Sequence, residues 1–411
     1  METYDIIVIG AGPAGILSAG RAAQRGRSVL LLEKNATLGK KLLLTGGGRC
    51  NLTNKNITPE NILKKYRNSG KFLFSAFAQF DVKKTLEFFE KIGIKTKEEN
   101  NGRVFPTSNS AKNVLETLTK YLQKNNVEIK TNSEVTKISI DEKTKNIIIE
   151  IGGSETVSAK SCILATGGNS YPETGSTGEV FDWLEKMGHK ITKNNVALAP
   201  VALSDNWPKK LTGVTLNDIN ITVFQDNKKK FSIDGEILFT HFGVSGPTIF
   251  NISKQVGDLL KSGKVTIKID LLPKIKASDL QTKLQNLFQE NANKQIKNNL
   301  SELIPSSVAL AILEILEINA EIKNNNLTAQ NRKKIISTIK ALPLNVSGLI
   351  ANRAMASSSG VDLAEVNFKT MQSRIIPNLY LTGDILDIDR PSGGYSLQIC
   401  WTTGYIAGNN A

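Results

Sequence analysis

The chain of 411 residues is poor in the residue types that build disulfide frameworks, metal centres and membrane spans. Its three cysteines, Cys50, Cys162 and Cys400, are odd in number and scattered, which favours a reducing compartment over a disulfide framework. His189 and His241 are the only histidines and show no ligand spacing, so no metal site is predicted. The longest apolar runs are strand-sized. Because the first residues also lack the features of a signal peptide, we expect a cytoplasmic protein.

The chain has few acidic residues relative to basic ones: 38 Asp and Glu against 52 Lys and Arg, which gives a net charge of +14. One interpretation is attraction to a polyanion such as RNA. The other is compositional bias, because Lys, Asn and Ile are heavily used throughout the chain. The sum of the charges does not decide between them, since it is the distribution of charge that marks a nucleic-acid surface.

The order of patterns along the chain predicts an interrupted α/β fold. YDIIVIG, AGPAGILSAGRAAQRG and SVLLLE read as strand, helix and strand, which is a parallel βαβ unit. Hairpin patterns begin near residue 195, helical spacing runs from about 277 to 341, and glycines and strands then return. We therefore predict a first domain of residues 1–194 and 344–411. A β-rich domain of residues 195–276 and a helical domain of residues 277–343 interrupt it.

A dinucleotide-binding fingerprint lies in the first βαβ unit. Gly10, Gly12 and Gly15 form G-x-G-x-x-G between the strand and the helix, so the helix N-terminus faces a pyrophosphate. Glu33 ends the second strand, where a carboxylate accepts the ribose hydroxyls. The site is predicted to hold FAD or NAD.

Two later segments favour FAD. KSCILATGG ends a buried strand on Ala165, Thr166 and Gly167, beside the adenosine half of a flavin cofactor. LYLTGD places Gly383 and Asp384 after a late strand, where an acid binds the ribityl chain. No second G-x-G-x-x-G follows a strand, so we expect NAD(P)H to dock only transiently.

Four long motifs resemble one known family. GKKLLLTGGGRCNLTN, ATGGNSYPETGSTGEVF, GEILFTHFGVSGPTIFNIS and TGDILDIDRPSGGYSLQICWTTGYIAG occur in the order found in the BaiN/RdsA-type (YhiN-like) FAD-dependent oxidoreductases. The resemblance spans nearly the whole chain. It implies a glutathione-reductase-like FAD-binding (Rossmann-type) domain, interrupted by a β-barrel-like domain and a small helical domain.

The family resemblance also implies a wider set of FAD-binding residues. They are Gly10, Gly12, Pro13, Ala14, Gly15, Glu33, Lys34, Lys41, Gly47, Gly48, Arg49, Cys50, Asn51, Val135, Ala165, Thr166, Gly167, Gly383, Asp384, Gly393, Gly394, Tyr395, Ser396 and Leu397.

Arg49 and the amides of Gly46–Gly48 suit an anion or the flavin edge, and GGYSLQ, residues 393–398, offers a second backbone-rich turn. A helix dipole there would stabilise a reduced flavin anion. The alternative for both segments is a structural glycine turn.

Three residues are candidates for catalysis. Cys50 has no partner thiol nearby, which argues against disulfide exchange, and it is either a small packing residue or a proton donor. His241, inside FTHFGVSGP, is a proton donor, a substrate ligand or a hydrogen-bonded structural residue. Tyr171 contacts the flavin or substrate, or it is a packed aromatic residue.

The predicted reaction is hydride transfer through FAD, reduced by NAD(P)H, to an electron-poor C=C bond. The family resemblance leaves the substrate open. The first hypothesis is uridine of ribosomal RNA reduced to dihydrouridine, with a cationic face formed by NILKKYRNSGK and DNKKKF. The alternatives are a small-molecule enone or steroid-acid reductase, a small-amine oxidase, or a binding module without turnover. No membrane partner is expected.

Overall fold

The computed structural model describes residues 2–66, 69–192, 198–350 and 360–411. The chain divides into two compact units, of which the first comprises residues 1–195 and 354–411 and the second comprises residues 196–353. No helix within the described ranges is both long and apolar enough to cross a membrane.

The strands, in chain order, are β1 (Thr3–Ile9), β2 (Val29–Leu32), β3 (Thr53–Asn54), β4 (Thr96–Glu99), β5 (Arg103–Pro106), β6 (Glu128–Lys130), β7 (Val135–Ile140), β8 (Ile147–Ile151), β9 (Glu155–Leu164), β10 (Ile191–Thr192), β11 (Val201–Leu203), β12 (Thr215–Gln225), β13 (Lys228–Thr240), β14 (Gly243–Ser245), β15 (Val265–Asp270), β16 (Leu342–Leu349), β17 (Gly360–Val361) and β18 (Leu379–Leu381). The helices are α1 (Pro13–Gln24), α2 (Ile62–Lys65), α3 (Gly70–Gln79), α4 (Val82–Lys91), α5 (Ala111–Lys124), α6 (Glu179–Lys186), α7 (Pro247–Leu260), α8 (Ala277–Glu290), α9 (Ile296–Leu300), α10 (Ser306–Ile315), α11 (Ala329–Lys340) and α12 (Tyr395–Asn410).

The main sheet of the first unit has the strand order β6-β2-β1-β9-β8-β7, and β18 also pairs with β9. Strands β6, β2, β1, β9 and β18 pair in parallel, whereas β7, β8 and β9 pair antiparallel. Residues 6–9 of β1 are all buried, as is typical of a parallel strand covered on both faces. The predicted α/β class and its βαβ start are confirmed. Parallel pairing brings the carboxyl ends of β1, β2, β9 and β18 to one edge, where such sheets bind ligands.

The second unit is a closed six-stranded barrel in the described residues, in the order β11-β14-β13-β12-β15-β16. One cluster of buried residues joins the inward side chains of these strands to helices α8, α10 and α11. One of the hairpins predicted after residue 195 is β12 with β13. The helices predicted after residue 277 are α8, α10 and α11, and α7 was not predicted.

The structure corrects the predicted extent of the insertion. The first domain is predicted to resume at residue 344, but β16 pairs with β15 and β11 and so belongs to the barrel. A closed barrel needs this strand, and its alternating sequence LPLNVSGL does not reveal to which sheet it belongs. The barrel and helical parts, predicted as separate domains, share one core within residues 196–353. The predicted boundary at 194 and 195 lies outside the described residues.

His189 ties the region after α6 to the region before β18. Its Nδ1 lies 2.9 Å from Glu365 Oε2, and its Nε2 lies 2.9 Å from Ser373 Oγ. The Ser373 hydroxyl also accepts hydrogen bonds from the backbone N–H groups of Ile375 and Ile376, at 3.1 and 2.8 Å. Because this hydroxyl is buried and fully engaged, the serine–histidine–glutamate arrangement is structural and does not present a nucleophile.

Replacing His189 by Leu is expected to lower the free energy of unfolding by about 2 to 3 kcal/mol, because a hydrogen bond to a carboxylate and one to a buried hydroxyl are lost. His241→Leu is the matched control: His241 is exposed, so its loss is expected to cost less than about 0.5 kcal/mol. Urea denaturation followed by circular dichroism measures both, and equal midpoints for the two variants would contradict a structural role for His189.

Candidate cofactor site

The three fingerprint glycines, from the end of β1 to the first turn of α1, are needed for different structural reasons. Gly10 has φ +98, and a Cβ there would lie 2.6 Å from the carbonyl oxygen of Ala165. A Cβ on Gly15 would lie 1.9 Å from the carbonyl oxygen of Gly10. Both are therefore required by the packing of the protein. A Cβ on Gly12, in contrast, would meet no atom within 4 Å. The protein itself does not need a glycine at this position, and the space beside it suits the close approach of a pyrophosphate.

Glu33 follows β2 and orients the turn beside these glycines. Its Oε2 accepts from the amide of Ala11 at 2.9 Å. Its Oε1 accepts from the backbone and side-chain nitrogens of Asn35 at 2.9 and 2.7 Å. A carboxylate offers about four acceptor positions, so capacity remains for a ribose hydroxyl. The amide of Ser133 donates to the carbonyl of Glu33 at 2.9 Å, which brings the start of β7, at the buried Val135, to the same edge of the sheet.

Helices α1 and α12 are in direct backbone contact. A Cβ on Gly404 would lie 2.5 Å from the carbonyl oxygen of Ala14, and one on Gly408 would lie 2.3 Å from that of Ser18. Ala14 precedes Ser18 on α1, and their partners Gly404 and Gly408 follow in the same order on α12, so the two helices run parallel. Because α12 starts nine residues before Gly404 whereas α1 starts one residue before Ala14, the α12 N-terminus lies about 12 Å beyond that of α1. Two helix N-termini displaced in this way fit a ligand whose pyrophosphate and ring are separated by a ribityl chain.

The Gly393–Gly394 turn that starts α12 is held by two asparagine side chains. With its amide oriented by its hydrogen bonds, Asn51 accepts from the N–H of Gly394 and donates to the carbonyl of Thr53, both at 3.0 Å. Asn54 Nδ2 donates to the carbonyl of Gly393 at 2.8 Å. The predicted flavin-facing loop and the second glycine turn are therefore brought together by the fold, and Asn51 acts through the position of the α12 N-terminus.

The segment Leu42–Gly48 ends in three consecutive glycines with left-handed backbone. Gly46, Gly47 and Gly48 have φ values of 58, 66 and 83 degrees, which few other residues adopt. A Cβ on Gly47 would meet nothing within 4 Å, whereas one on Gly46 would lie 2.9 Å from the amide nitrogen of Asn51. Gly46 is thus required by packing, and Gly47 leaves open space, as Gly12 does.

Arg49 is engaged by protein groups. Its Nη2 forms an ion pair with Glu99 and donates to Asn109 Oδ1 at 2.8 Å. The guanidinium also lies over the ring of Phe105, 4.1 Å from the centroid. These contacts tie the glycine loop to β4 and β5. A contact of Arg49 with the cofactor, expected from the sequence, remains a prediction.

Cys50 lies in the hydrophobic core of the first unit, fully buried and with a φ of 63 degrees. Its N–H donates to the carbonyl of Thr45 at 3.0 Å. Burial raises the pKa of its thiol to about 12, and a hydrogen bond with Thr45 opposes this only in part. A thiol with this pKa is a weak acid at neutral pH, so the geometry favours the packing interpretation that the sequence analysis left open.

Asp384, after β18, is paired with a cation that the sequence analysis missed. Arg390 is buried and forms an ion pair with Asp384 through Nη2. Its Nη1 donates to the carbonyl of Ile388 at 2.7 Å, and its Nε donates to Ser396 Oγ at 3.1 Å. Arg390 therefore connects the acid expected beside the ribityl chain to the first turn of α12. The segment DRPSGGY gave no local signal for this role, which depends on the loop folding back on itself.

Lys41 is a buried cation at the same edge of the sheet. Its Nζ donates to Ser170 Oγ at 3.1 Å, and it forms no ion pair with any described residue. Burial lowers the pKa of Lys41, and the negative charge of Asp384 acts in the opposite direction. A Cβ on Gly167, which has φ +78, would lie 3.9 Å from the same Nζ. The donor set here, an ammonium group with one hydroxyl partner beside glycine turns, fits an anionic group such as a phosphate.

The remaining candidates differ in their surroundings. Lys34 is paired with Glu179 at 2.7 Å. Tyr171 is half-buried, has a φ of 53 degrees and follows Ser170, so it shares a loop with the partner of Lys41. His241 belongs to the second unit, is exposed at the turn between β13 and β14, and makes an edge contact with Phe242. The described residues contain no cluster of side chains that could hold a metal ion.

Gly12→Ala and Gly15→Ala are expected to separate cofactor binding from folding. Gly12→Ala meets no protein atom, so the flavin-free protein should melt within about 1 °C of the parent, whereas its affinity for FAD should fall at least about tenfold. Gly15→Ala should lower the melting temperature itself, because its Cβ meets the carbonyl of Gly10. Flavin fluorescence titration and thermal denaturation measure the two effects, and full FAD affinity in Gly12→Ala would contradict the assignment of the pyrophosphate site.

Cys50→Ser is expected to retain FAD, and its stability should depend on pH differently from that of the parent. The folded pKa of about 12 lies above the unfolded value of about 8.5, so the buried thiol stabilises the fold fully below pH 8.5 and loses this contribution as pH rises toward 12. The stability of the parent relative to Cys50→Ser should therefore fall by about 1.4 kcal/mol per pH unit above about pH 9. Parallel pH profiles in denaturant titrations would show that the thiol is accessible to solvent.

The comparisons with known proteins agree with this geometry. A family model described as the HI0933-like protein Rossmann domain matches residues 4–410. Ribosomal RNA dihydrouridine synthase from Escherichia coli is 30% identical over 98% of this chain and 97% of its own length. The 3-dehydro-bile acid delta(4,6)-reductase from Clostridium scindens is 30% identical over 98% of both chains.

A solved structure with the same fold is the open conformation of a flavocytochrome c3 fumarate reductase, with a TM-score of 0.55 at 16% identity, covering 100% of this chain and 78% of the other. Since the family model spans both units of the chain, the chain belongs to the HI0933-like family of FAD-dependent oxidoreductases, as the sequence predicted.

Proposed function

We propose that the protein reduces uridine in ribosomal RNA to dihydrouridine with FAD as its cofactor. The observation that carries the proposal is the E. coli relative, which bears this activity in its name and matches both units of the chain at 30% identity. The net charge of +14 supports it, because an RNA substrate requires a cationic surface. Both units contribute an excess of Lys and Arg, so the charge is not confined to one segment.

The residues that would hold FAD follow one edge of the parallel sheet. The amides of the first turn of α1 and the open face of Gly12 would receive the pyrophosphate, and Glu33 would accept from the adenosine ribose. Lys41 would supply a cation to a phosphate oxygen. Asp384, held by Arg390, would accept from the ribityl hydroxyls. With these assignments, the phosphates would face N–H groups and a cation, and ribose and ribityl hydroxyls would face carboxylates.

FAD supplies the two-electron chemistry for reduction of the C=C bond when it is bound. The protein would contribute the electrostatics at the α12 end: the first turn of α12 holds no acidic residue, and the buried Arg390, paired with Asp384, lies beside it. Together they would stabilise negative charge that develops on a ring placed there.

The proton that completes the reduction needs a donor or water. Of the three candidates, Tyr171 shares a loop with the Lys41 partner Ser170, whereas the Cys50 thiol is buried in the core with a raised pKa. We propose Tyr171 or a bound water as the donor and NAD(P)H as the transient electron source. The described residues contain no second dinucleotide fingerprint after a strand, so NAD(P)H would have no domain of its own.

A small-molecule reductase is the alternative. The C. scindens relative matches as much of the chain at the same identity, and its name describes reduction of conjugated double bonds in a bile acid. The same FAD site would serve either substrate, because both reactions saturate an electron-poor C=C bond. What distinguishes them is whether the protein recognises a polyanion or an apolar ring system.

Dihydrouridine in ribosomal RNA is expected to disappear when the gene is deleted, because the proposed reaction forms it. Nucleoside mass spectrometry of ribosomal RNA from the parent and deletion strains measures this loss. Expression of the wild-type protein should restore the modification.

Gly12→Val is the matched control, since its Cβ meets no protein atom within 4 Å and its larger side chain would fill the pyrophosphate space. It should not restore dihydrouridine. If deletion leaves the dihydrouridine content unchanged, while the purified protein consumes a conjugated 3-ketosteroid with NADH or NADPH, the small-molecule alternative replaces the RNA proposal.

A further inference from the structure

Helices α2 and α3 carry the two most exposed large apolar side chains of the described chain. Phe74 on α3 is 55% exposed, and Leu63 on α2 is 51% exposed. The helices approach closely, since a Cβ on Gly70 would lie 2.6 Å from the Cα of Leu63. Phe74 is four residues after Gly70 and so lies on the same helix face. We call Leu63, Lys64, Lys71 and Phe74 the α2–α3 surface.

The α2–α3 surface is positively charged. Residues 61–80 contain no Asp or Glu. Lys64 and Lys71 are exposed, and neither forms an ion pair with any described residue. Lys71 and Phe74 are three residues apart on one helix, so an ammonium and an aromatic ring stand side by side. Arg67 and Asn68, which the sequence analysis included in the cationic face, lie outside the described residues.

Hydrogen bonds connect the two helices that carry this surface to the candidate cofactor site. Tyr66, at the end of α2, donates its hydroxyl to the carbonyl of Tyr395 at 3.3 Å. Lys65 Nζ lies 5.8 Å from the centroid of the Tyr395 ring, at the start of α12. Before α3, Ser69 Oγ donates to the carbonyl of Asp387 and accepts from the amide of Asp389, both at 3.3 Å. The end of α2 and the start of α3 are therefore bonded to the first residue of α12 and to the loop that carries Arg390.

We propose that the α2–α3 surface binds unpaired nucleotides of the RNA next to the uridine that is reduced, with a base stacked on Phe74 and phosphates paired with Lys64 and Lys71. The inference rests on the proposed function and specifies its substrate contact. Single-stranded RNA is recognised by exposed aromatic side chains interleaved with cations, because every base has a stacking face and every nucleotide carries a phosphate. An apolar small molecule would leave the lysines without a partner, so the charge favours RNA.

The test compares Phe74→Ala with Phe368→Ala, and the double variant Lys64→Ala/Lys71→Ala with Lys112→Ala/Lys120→Ala. Phe368 is the matched control because it is also exposed and lies beside a lysine, Lys369. Lys112 and Lys120 are exposed on α5. The probe is ribosomal RNA from the deletion strain, and its Kd is measured by filter binding between about 50 and 200 mM salt. Flavin absorbance per protein should be the same in all variants, which shows that the first unit is folded.

Phe74→Ala is expected to raise the Kd about tenfold with an unchanged salt dependence, because it removes a stack and no charge. The double lysine variant should reduce the slope of log Kd against log salt by about 1.4, since each lost contact with a single-strand phosphate removes about 0.7. Both should lower dihydrouridine formation through KM, and the control variants should behave as the wild type.

Two outcomes would overturn this inference alone. The first is wild-type affinity of Phe74→Ala for the RNA. The second is a Phe74→Ala variant that loses binding to phosphatidylglycerol vesicles while its RNA affinity stays intact, which would identify a membrane as the occupant. Failure of the wild-type protein to form dihydrouridine in this RNA would instead overturn the proposed function.

Discussion

The site depends first on the backbone contact between α1 and α12. Gly404 and Gly408 let the last helix lie directly against Ala14 and Ser18, with no side chain between them. Any Cβ at these glycines would push α12 away from α1 and displace its N-terminus from the edge of the sheet. The relative positions of the two helix N-termini are therefore set by the glycines at this helix contact, and these matter as much as the glycines of the fingerprint.

A second constraint fixes where α12 begins. Asn51 and Asn54 hold the Gly393–Gly394 turn, and the buried Trp401 donates its ring N–H to the carbonyl of Leu52 at 2.9 Å. The segment of residues 51–54 is thus bonded to the turn that starts α12 and, about two helical turns later, to Trp401. The segment GGGRCN therefore serves largely to position this helix. Arg49 and Cys50 hold this segment in place: Arg49 forms an ion pair with Glu99, and Cys50 packs in the core.

Local patterns explain which parts could be predicted. Gly10, Gly12 and Gly15 and the acid at Glu33 belong to one βαβ unit, in which strand, turn and helix are specified by neighbouring residues. Arg390 could not be predicted, because its partner Asp384 is defined only once the loop between β18 and α12 closes. Strand β16 was misplaced for a related reason: its alternation is compatible with any sheet, and only closure of the barrel assigns it to the second unit. Sequence reveals chemistry carried by adjacent residues, and it is weak where distant segments meet.

Unused bonding capacity separates a site from a well-packed interior. The His189, Glu365 and Ser373 arrangement has the order of groups found in hydrolases, yet its hydroxyl already accepts two backbone N–H groups and is buried. The cofactor edge is different, because Gly12 and Gly47 face open space and the Lys41 ammonium has one hydroxyl partner among the described residues. A buried cation without a full set of partners costs free energy in the empty protein. Binding of an anionic cofactor would offset that cost, so the same residues that weaken the apoprotein would select for a phosphate-bearing ligand.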